Sequence, residues 1–246
     1  MSRPERLAVV CGTATDVGKT WVSCGLLHGL RERGVTVAAR KPAQSFAQDG
    51  RPTDAELLAD ASGKEPWDVC PAHRWYPVAM APPMAAAALG REPFTSASLA
   101  AELDWPARAA VGIIETAGGV RSPLASDGDT VTLCHLIAPD IVILVADAGL
   151  GTINAVRLSA GALRDGGAPV VVHLNRYDAA DDLHQRNRDW LAHRDQLDVV
   201  ISVGELVHRV LERPGGRSVD GLDVLPVDRD RVHAERDGAL GQVLDR

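Results

Sequence analysis

Short apolar runs recur along the chain with longer amphipathic stretches between them. Residues 7–11 (LAVVC), 35–39 (VTVAA), 111–115 (VGIIE), 141–145 (IVILV) and 169–174 (PVVVHL) are apolar without strict alternation. A strand covered on only one face alternates, whereas one covered on both faces reads as a continuous apolar run. Helical periodicity fills the intervals at 21–33, 84–89, 96–103, 130–137 and 154–164. A further helix begins at Thr53, where a threonine cap precedes an acidic first turn. The stretch 66–83, rich in proline and tryptophan, and the Gly-rich 116–119 read as irregular and as a turn. Strands alternating with helices predict an α/β fold, a doubly wound and mostly parallel sheet with helices on both faces, as one domain over 1–246. Beyond Asp178 the periodicity thins to a charged helix at 183–196, a strand at 199–203 and a helix at 205–212. The tail from Pro214 has no clear period.

Composition narrows the function classes. Of 246 residues, 26 are Lys or Arg and 33 Asp or Glu, a net charge of −7, and no long basic block exists. Nucleic acid is therefore not an expected partner class, and no apolar run approaches the length of a membrane span. The four cysteines, at 11, 24, 70 and 134, form no C-x-x-C pair. Packing residues in a reducing, cytoplasmic setting are expected.

The chemistry concentrates where strands end. GTATDVGKT at 12–20 follows the first strand and opens the first helix, the arrangement that binds a triphosphate. Glycine permits close approach of the backbone to the anion, lysine neutralises it, and the threonine hydroxyl is placed for Mg²⁺. Gly12 lies one residue earlier than the common spacing, so Thr13 takes the first-glycine place. Glu115, at the end of a buried strand, is the next candidate ligand, because an acid beside a core needs a partner. Asp54 is a third, although an acid in a first helical turn also suits the helix dipole. Arg40 and Lys41 end the second strand as two cations suited to a negatively charged substrate or a transferring phosphoryl group. His135 and His173 read as packing or hydrogen-bonding residues. All of these strand-end positions fall on the ligand-binding edge of a parallel sheet.

Taken together, GTATDVGKT at 12–20, KPAQS at 41–45, TDAELL at 53–58, WYPVAMAPPMAA at 75–86, ETAGGVRSPL at 115–124, GLGTIN at 149–154 and Asn175 resemble the dethiobiotin synthetase family. The matching pieces stand in family order over residues 7–177. The resemblance implies ATP and Mg²⁺ as cofactors, a diamine and CO₂ as substrates, and a homodimer. It implies that Thr13, Asp16, Val17, Gly18, Lys19, Thr20 and Asn175 bind the nucleotide, Asn175 at its base. Thr20, Asp54 and Glu115 would hold Mg²⁺. Lys19 and Lys41, with Thr15, would act on the phosphates and the carbamate. Thr15, Lys41, Ser45, Gly118, Gly151, Thr152, Ile153 and Asn154 would surround the substrate, residues 151–154 lending a helix start to a carboxylate in the partner subunit. The implied reaction is ring closure of 7,8-diaminopelargonate to dethiobiotin.

Three departures from the family pattern bear on this. Thr116 stands where glycine is common, Asp147 to Leu150 replace a shorter link, and no Gly-x-Ile/Val-Pro run follows the last strand. A relative acting on a different amine, a nucleotide-switched partner protein of the chromosome-partitioning kind, and a non-catalytic homologue are the competing readings. The partitioning kind carries an extra lysine early in its phosphate loop, where this chain has Thr13-Ala14-Thr15. A non-catalytic homologue would have to lose function through its loops alone, since Lys19, Thr20, Lys41, Asp54 and Glu115 are all present.

Overall fold

The computed structural model describes residues 3–164, 167 and 169–212, all but Glu212 of them within a unit Met1–Leu211. The second unit, Glu212–Arg246, falls almost wholly outside the described residues, as does the expectation for the tail from Pro214. The elements run β1 (Arg6–Gly12), α1 (Lys19–Glu32), β2 (Val37–Arg40), β3 (Gln44–Ser45), α2 (Asp54–Ser62), α3 (Pro66–Val69), β4 (Trp75–Tyr76), α4 (Pro82–Ala88), α5 (Ser96–Ala101), β5 (Val111–Gly119), α6 (Thr130–Ile137), β6 (Ile141–Asp147), α7 (Thr152–Arg164), β7 (Val170–Asn175), α8 (Asp182–Asp189), β8 (Asp198–Val200) and α9 (Val203–Leu211). Six strands form one parallel sheet in the order β2-β5-β1-β6-β7-β8, and β3 pairs with β4 apart from it.

The continuous apolar runs have a direct physical cause. Along β1, Leu7, Val9 and Cys11 face one core, while Ala8 and Val10 face the other. β6 does the same, with Val142, Leu144 and Ala146 opposite Ile141, Ile143 and Val145. Side chains alternate across a strand, so burial of both faces demands an apolar residue at every position. The first face is covered by α4 to α7, through residues such as Leu99, Leu133 and Val156. The second is covered by α1, α2 and α9, through Leu26, Leu58 and Leu206. Fully burying each such side chain is worth about 1.5–3 kcal/mol.

Several elements differ from the sequence expectation. Residues 116–119 are not a turn: β5 continues to Gly119, and its register against β1 shifts between the pairs Val10–Glu115 and Gly12–Gly119. Thr116 keeps ordinary backbone there, and positive φ falls on Gly118 at 67°. The fully buried Thr116 hydroxyl instead accepts from Thr130 Oγ1 (3.1 Å), tying β5 to the start of α6. The stretch 66–83 contains α3, a 3₁₀ turn at Ala72–Arg74, β4 and the start of α4. Prolines at the first positions of α3 and α4 act as helix starters rather than breakers. Helix α7 begins at Thr152 rather than residue 154, and the 183–196 helix is α8 followed by a π-helical turn, Trp190–Arg194. The strand expected at 199–203 is displaced to Asp198–Val200, because Glu205 reaches back to the Ile201 and Ser202 N–H groups to start α9.

His173 is the one buried polar side chain in mid-strand on β7, with Nδ1 lacking a hydrogen-bond partner. Burial holds its imidazole down at about 4, against a smaller opposing pull from the Glu205 carboxylate. The folded chain therefore refuses a proton that the unfolded chain accepts below about 6.5. Stability carried by the neutral ring is complete above 6.5 and is lost as pH falls toward 4, by about 3 kcal/mol over that window. Urea unfolding at pH 7 and pH 4.5 should show His173→Leu losing correspondingly less stability on acidification than the unsubstituted protein.

Candidate active site

β1 delivers the chain into the loop 12–18 at the carboxyl edge of the sheet, between β5 and β6. The Thr13 N–H donates to Val145 O of β6 (2.9 Å), fixing where the loop leaves the sheet. Asp16 adopts φ 59° and Gly18 φ 91°, so the loop curls back and α1 starts at Lys19. No side chain caps α1 and no acid lies in its first turn. Its leading N–H groups and positive dipole end are therefore left for an external anion. Lys19 is buried and donates to Ala14 O (3.2 Å), holding its ammonium across the loop. Burial, and then the Lys41 charge, push Lys19 below the usual lysine range, while Glu115 and Asp54 oppose them.

Four side chains meet beside this loop, from α1, α2, β5 and the residue just past β2. Thr20 Oγ1 lies 2.9 Å from both Asp54 Oδ1 and Glu115 Oε1. Lys41 Nζ lies 2.5 Å from Asp54 Oδ2 and 2.7 Å from Glu115 Oε1. Glu115 is wholly buried and Lys41 is 1 % exposed, whereas Asp54 opens toward solvent. Burial opposes the Lys41 charge, but Asp54 and Glu115 overcome it and raise the ammonium above its ordinary range. Burial likewise works against the Asp54 charge, yet Lys41 and the Thr20 hydroxyl bring that carboxyl below its ordinary value. Asp54 is placed by a reciprocal cap, Thr53 accepting from the Glu56 N–H and Glu56 from Thr53 N, at the start of α2. The helix-start and ligand readings of Asp54 thus both hold in geometry.

The donor set suits a hard divalent cation. Two carboxylates and one hydroxyl converge, and Glu115 Oε2 is fully buried without a hydrogen-bond partner. Mg²⁺ favours such oxygens, with waters and phosphate completing its shell.

Other expected site residues make no hydrogen bond or ion pair with this cluster's side chains. Thr15 is exposed on the loop. The Ser45 hydroxyl donates to Met80 O, and Gly118 sits against Ser122 at the end of β5. Gly151, Thr152, Ile153 and Asn154 open α7 and contribute no hydrogen bond to the cluster. Arg40 departs from expectation: it turns away to Asp104 O (2.6 Å) and lies over the Trp105 ring, so Lys41 alone serves the site. Asn175 Nδ2 donates to Val17 O (3.0 Å), pinning the phosphate loop to β7.

Three contributors escaped sequence reasoning. Arg176, at φ 56°, bridges Asp16 O (3.0 Å) and Asp147 Oδ2 (3.1 Å). Asn187 donates to Ala148 O (2.9 Å) and Gly149 O (3.0 Å), holding the link before α7, and a lone buried amide on a charged helix was its only signal. Gln44 Oε1 accepts from the Ala55 N–H (3.0 Å), tying β3 to α2.

The chain matches the AAA domain family over residues 6–207. It is 37% identical over 195 residues to the ATP-dependent dethiobiotin synthetase of Anaeromyxobacter dehalogenans strain 2CP-C, covering 76% of this chain and 86% of that protein. The chain belongs to the dethiobiotin synthetase family. It is accordingly an ATP-dependent enzyme of the carbon–nitrogen ligase type. A synthetase of the same name from Haloferax mediterranei is 44% identical over 161 residues, covering 63% of this chain and 65% of that one. A plasmid partition protein from Borrelia burgdorferi overlays with TM-score 0.51 at 12% identity, covering 85% of this chain and 95% of that one. That likeness shows the P-loop fold alone.

Gly18 is the tightest point of the family's phosphate loop here. A Cβ on it would meet Asn175 Nδ2 at 2.1 Å, and its φ of 91° disfavours any side chain. Gly18→Ala should lower stability by about 1–2 kcal/mol and weaken binding of a fluorescent ATP analogue. In thermal unfolding, adding Asn175→Ala to Gly18→Ala should cost less than the sum of the two single changes, because the overlap is removed.

Proposed function

We propose that this chain forms dethiobiotin from 7,8-diaminopelargonate, CO₂ and MgATP. The convergence of Lys41, Asp54, Glu115 and Thr20 beside an uncapped helix start carries this reading. Mg²⁺ held by Thr20, Asp54 and Glu115 would supply charge neutralisation on the triphosphate. In the family's chemistry one amine takes up CO₂ and loses a proton, giving a carbamate. A carbamate oxygen then attacks the γ-phosphorus and ADP leaves. The second amine closes the ring on the carbamoyl carbon and expels phosphate. No protein nucleophile is required, so the chain's part is positioning and charge.

Lys19 and the first-turn N–H groups of α1 receive the phosphates, with Thr13, Asp16, Val17 and Gly18 shaping the loop around them. Lys41 meets the carbamate and the transferring phosphoryl group. Thr15, Ser45 and Gly118 face the diamine. Asn175, which pins Val17 O, reads the nucleotide base. Residues 151–154 serve the substrate carboxylate of a second copy in a homodimer. The exposed Leu150 (92 %) and Leu158 (70 %) on either side of the α7 start support such a pairing. A cytoplasmic setting is supported by the four free thiols. Among the described residues, no helix is long and apolar enough to cross a membrane.

Phosphate release from MgATP and bicarbonate, with and without 7,8-diaminopelargonate, tests the reading when product mass is measured alongside. Diamine-dependent release with a new ureido mass is expected. ATP binding without that dependence would point to another amine, with Thr116 and the link at 147–150 as the places to search. Lys19→Ala should keep the far-ultraviolet circular dichroism of the parent while losing about a hundredfold or more of diamine-dependent turnover.

A further inference from the structure

The hydrogen bonding of the buried cluster does not close without a cation. Thr20 has one hydroxyl hydrogen, yet its oxygen lies 2.9 Å from a carboxylate oxygen on each side, Asp54 Oδ1 and Glu115 Oε1. One of those contacts therefore sets a hydroxyl lone pair against a carboxylate oxygen. Glu115 Oε2 adds a further buried acceptor without a donor. The group that balances this excess of acceptors is the Lys41 ammonium, which lies against both carboxylates at 2.5 and 2.7 Å. Its side chain is almost wholly enclosed, and its backbone N–H is anchored to Val69 O (2.8 Å), so only the flexible stem is free to move.

We propose that Lys41 is the resident counter-ion of the metal-free site, standing between Asp54 and Glu115 where the divalent cation binds, so that metal loading and release of Lys41 toward the substrate are one event. A divalent cation takes over the charge of Asp54 and Glu115 and repels the ammonium beside it. Lys41 then loses its partners in the cluster, and its charge is available to an incoming anion. In the empty enzyme the same lysine keeps two adjacent carboxylates from facing each other unpaired. Free metal accordingly binds poorly to the empty protein, because it must displace a cation already held at short distance.

This inference rests on Thr20, Asp54 and Glu115 being the metal set of the proposed function, but its test needs neither nucleotide nor diamine. Mn²⁺ binding to the nucleotide-free protein is measured by electron paramagnetic resonance and calorimetry, for the unsubstituted chain, Lys41→Met and Lys41→Gln. Both variants should bind Mn²⁺ about tenfold or more tightly than the parent, because the competing cation is gone. Their melting temperatures without metal should lie below the parent's and rise further than the parent's on adding Mn²⁺. Adding Asp54→Asn to Lys41→Met should abolish the gain in affinity, which locates it. Should Lys41→Met fail to fold, Lys41→Gln, which keeps the hydrogen-bond donors without the charge, carries the measurement. Unchanged or weaker Mn²⁺ affinity in the substituted protein overturns the proposal, even if diamine-dependent turnover is observed. A tenfold gain without such turnover upholds it and overturns only the substrate assignment.

Discussion

Glu115 is an acid with no exposure to solvent, at the point where the central sheet meets its ligand edge. A carboxylate there is costly unless compensated, since desolvation of an isolated charge outweighs almost any local gain. Its surroundings act as that compensation. β2 brings Lys41 alongside, α1 brings Thr20, and α2 brings Asp54, whose own charge is drawn in by the same lysine. With one ammonium against two carboxylates the cluster keeps one net negative charge. Removing Lys41 leaves the wholly buried Glu115 without its counter-charge, so the cluster is more constrained than a surface ion pair.

That constraint reaches outward through backbone connections rather than through side chains alone. The register shift between β1 and β5 lies directly beyond Glu115, where the strand passes the phosphate loop. Thr116 uses its hydroxyl to hold α6, and Gly118 absorbs the unusual backbone angle two residues later. On the other side of the loop, Asn175 grips Val17, and Arg176 links Asp16 to Asp147. The nucleotide loop is thus tied to β7 and, through Asp147 and the Gly149 N–H it accepts, to the link before α7. A parallel sheet gathers these strand ends on one edge, which is why residues far apart in sequence need only short side chains to meet.

The doubly wound sheet was legible because apolar runs that fail to alternate require cover on both faces. Lys19 and Thr20 were legible as the Gly-Lys-Thr that opens a helix after the first such run, and Glu115 as an acid at the end of another. Asp54 was half legible, since its capping context accounted for it without a ligand role. What sequence could not show was direction. Arg40 and Lys41 are adjacent and chemically alike, yet Arg40, the last residue of β2, turns to Trp105, and Lys41, just past it, turns to Glu115. Thr116 to Gly119 looked like a turn because glycine is ambiguous, permitting a turn but equally an irregular strand end. Asn187 and Gln44 act by single hydrogen bonds to distant backbone, a contact that leaves no local periodicity to read.

Fold alone would not separate a ligase from a nucleotide-switched partner protein, since the partition protein shares the architecture at 12% identity. The separation comes from sequence, which is 37% identical over 195 residues to a dethiobiotin synthetase. A switch protein needs its nucleotide state communicated to a surface that a partner reads. Here the groups that face the phosphate loop turn inward: Lys41 is enclosed, Glu115 is sealed, and the Thr20 hydroxyl is committed to the two carboxylates. Such an arrangement concentrates its charge on a small volume beside the phosphate loop rather than on a distant surface. A small second reactant brought to that volume would meet preorganised cations without the chain having to rearrange its backbone, as transfer chemistry that needs no protein nucleophile requires.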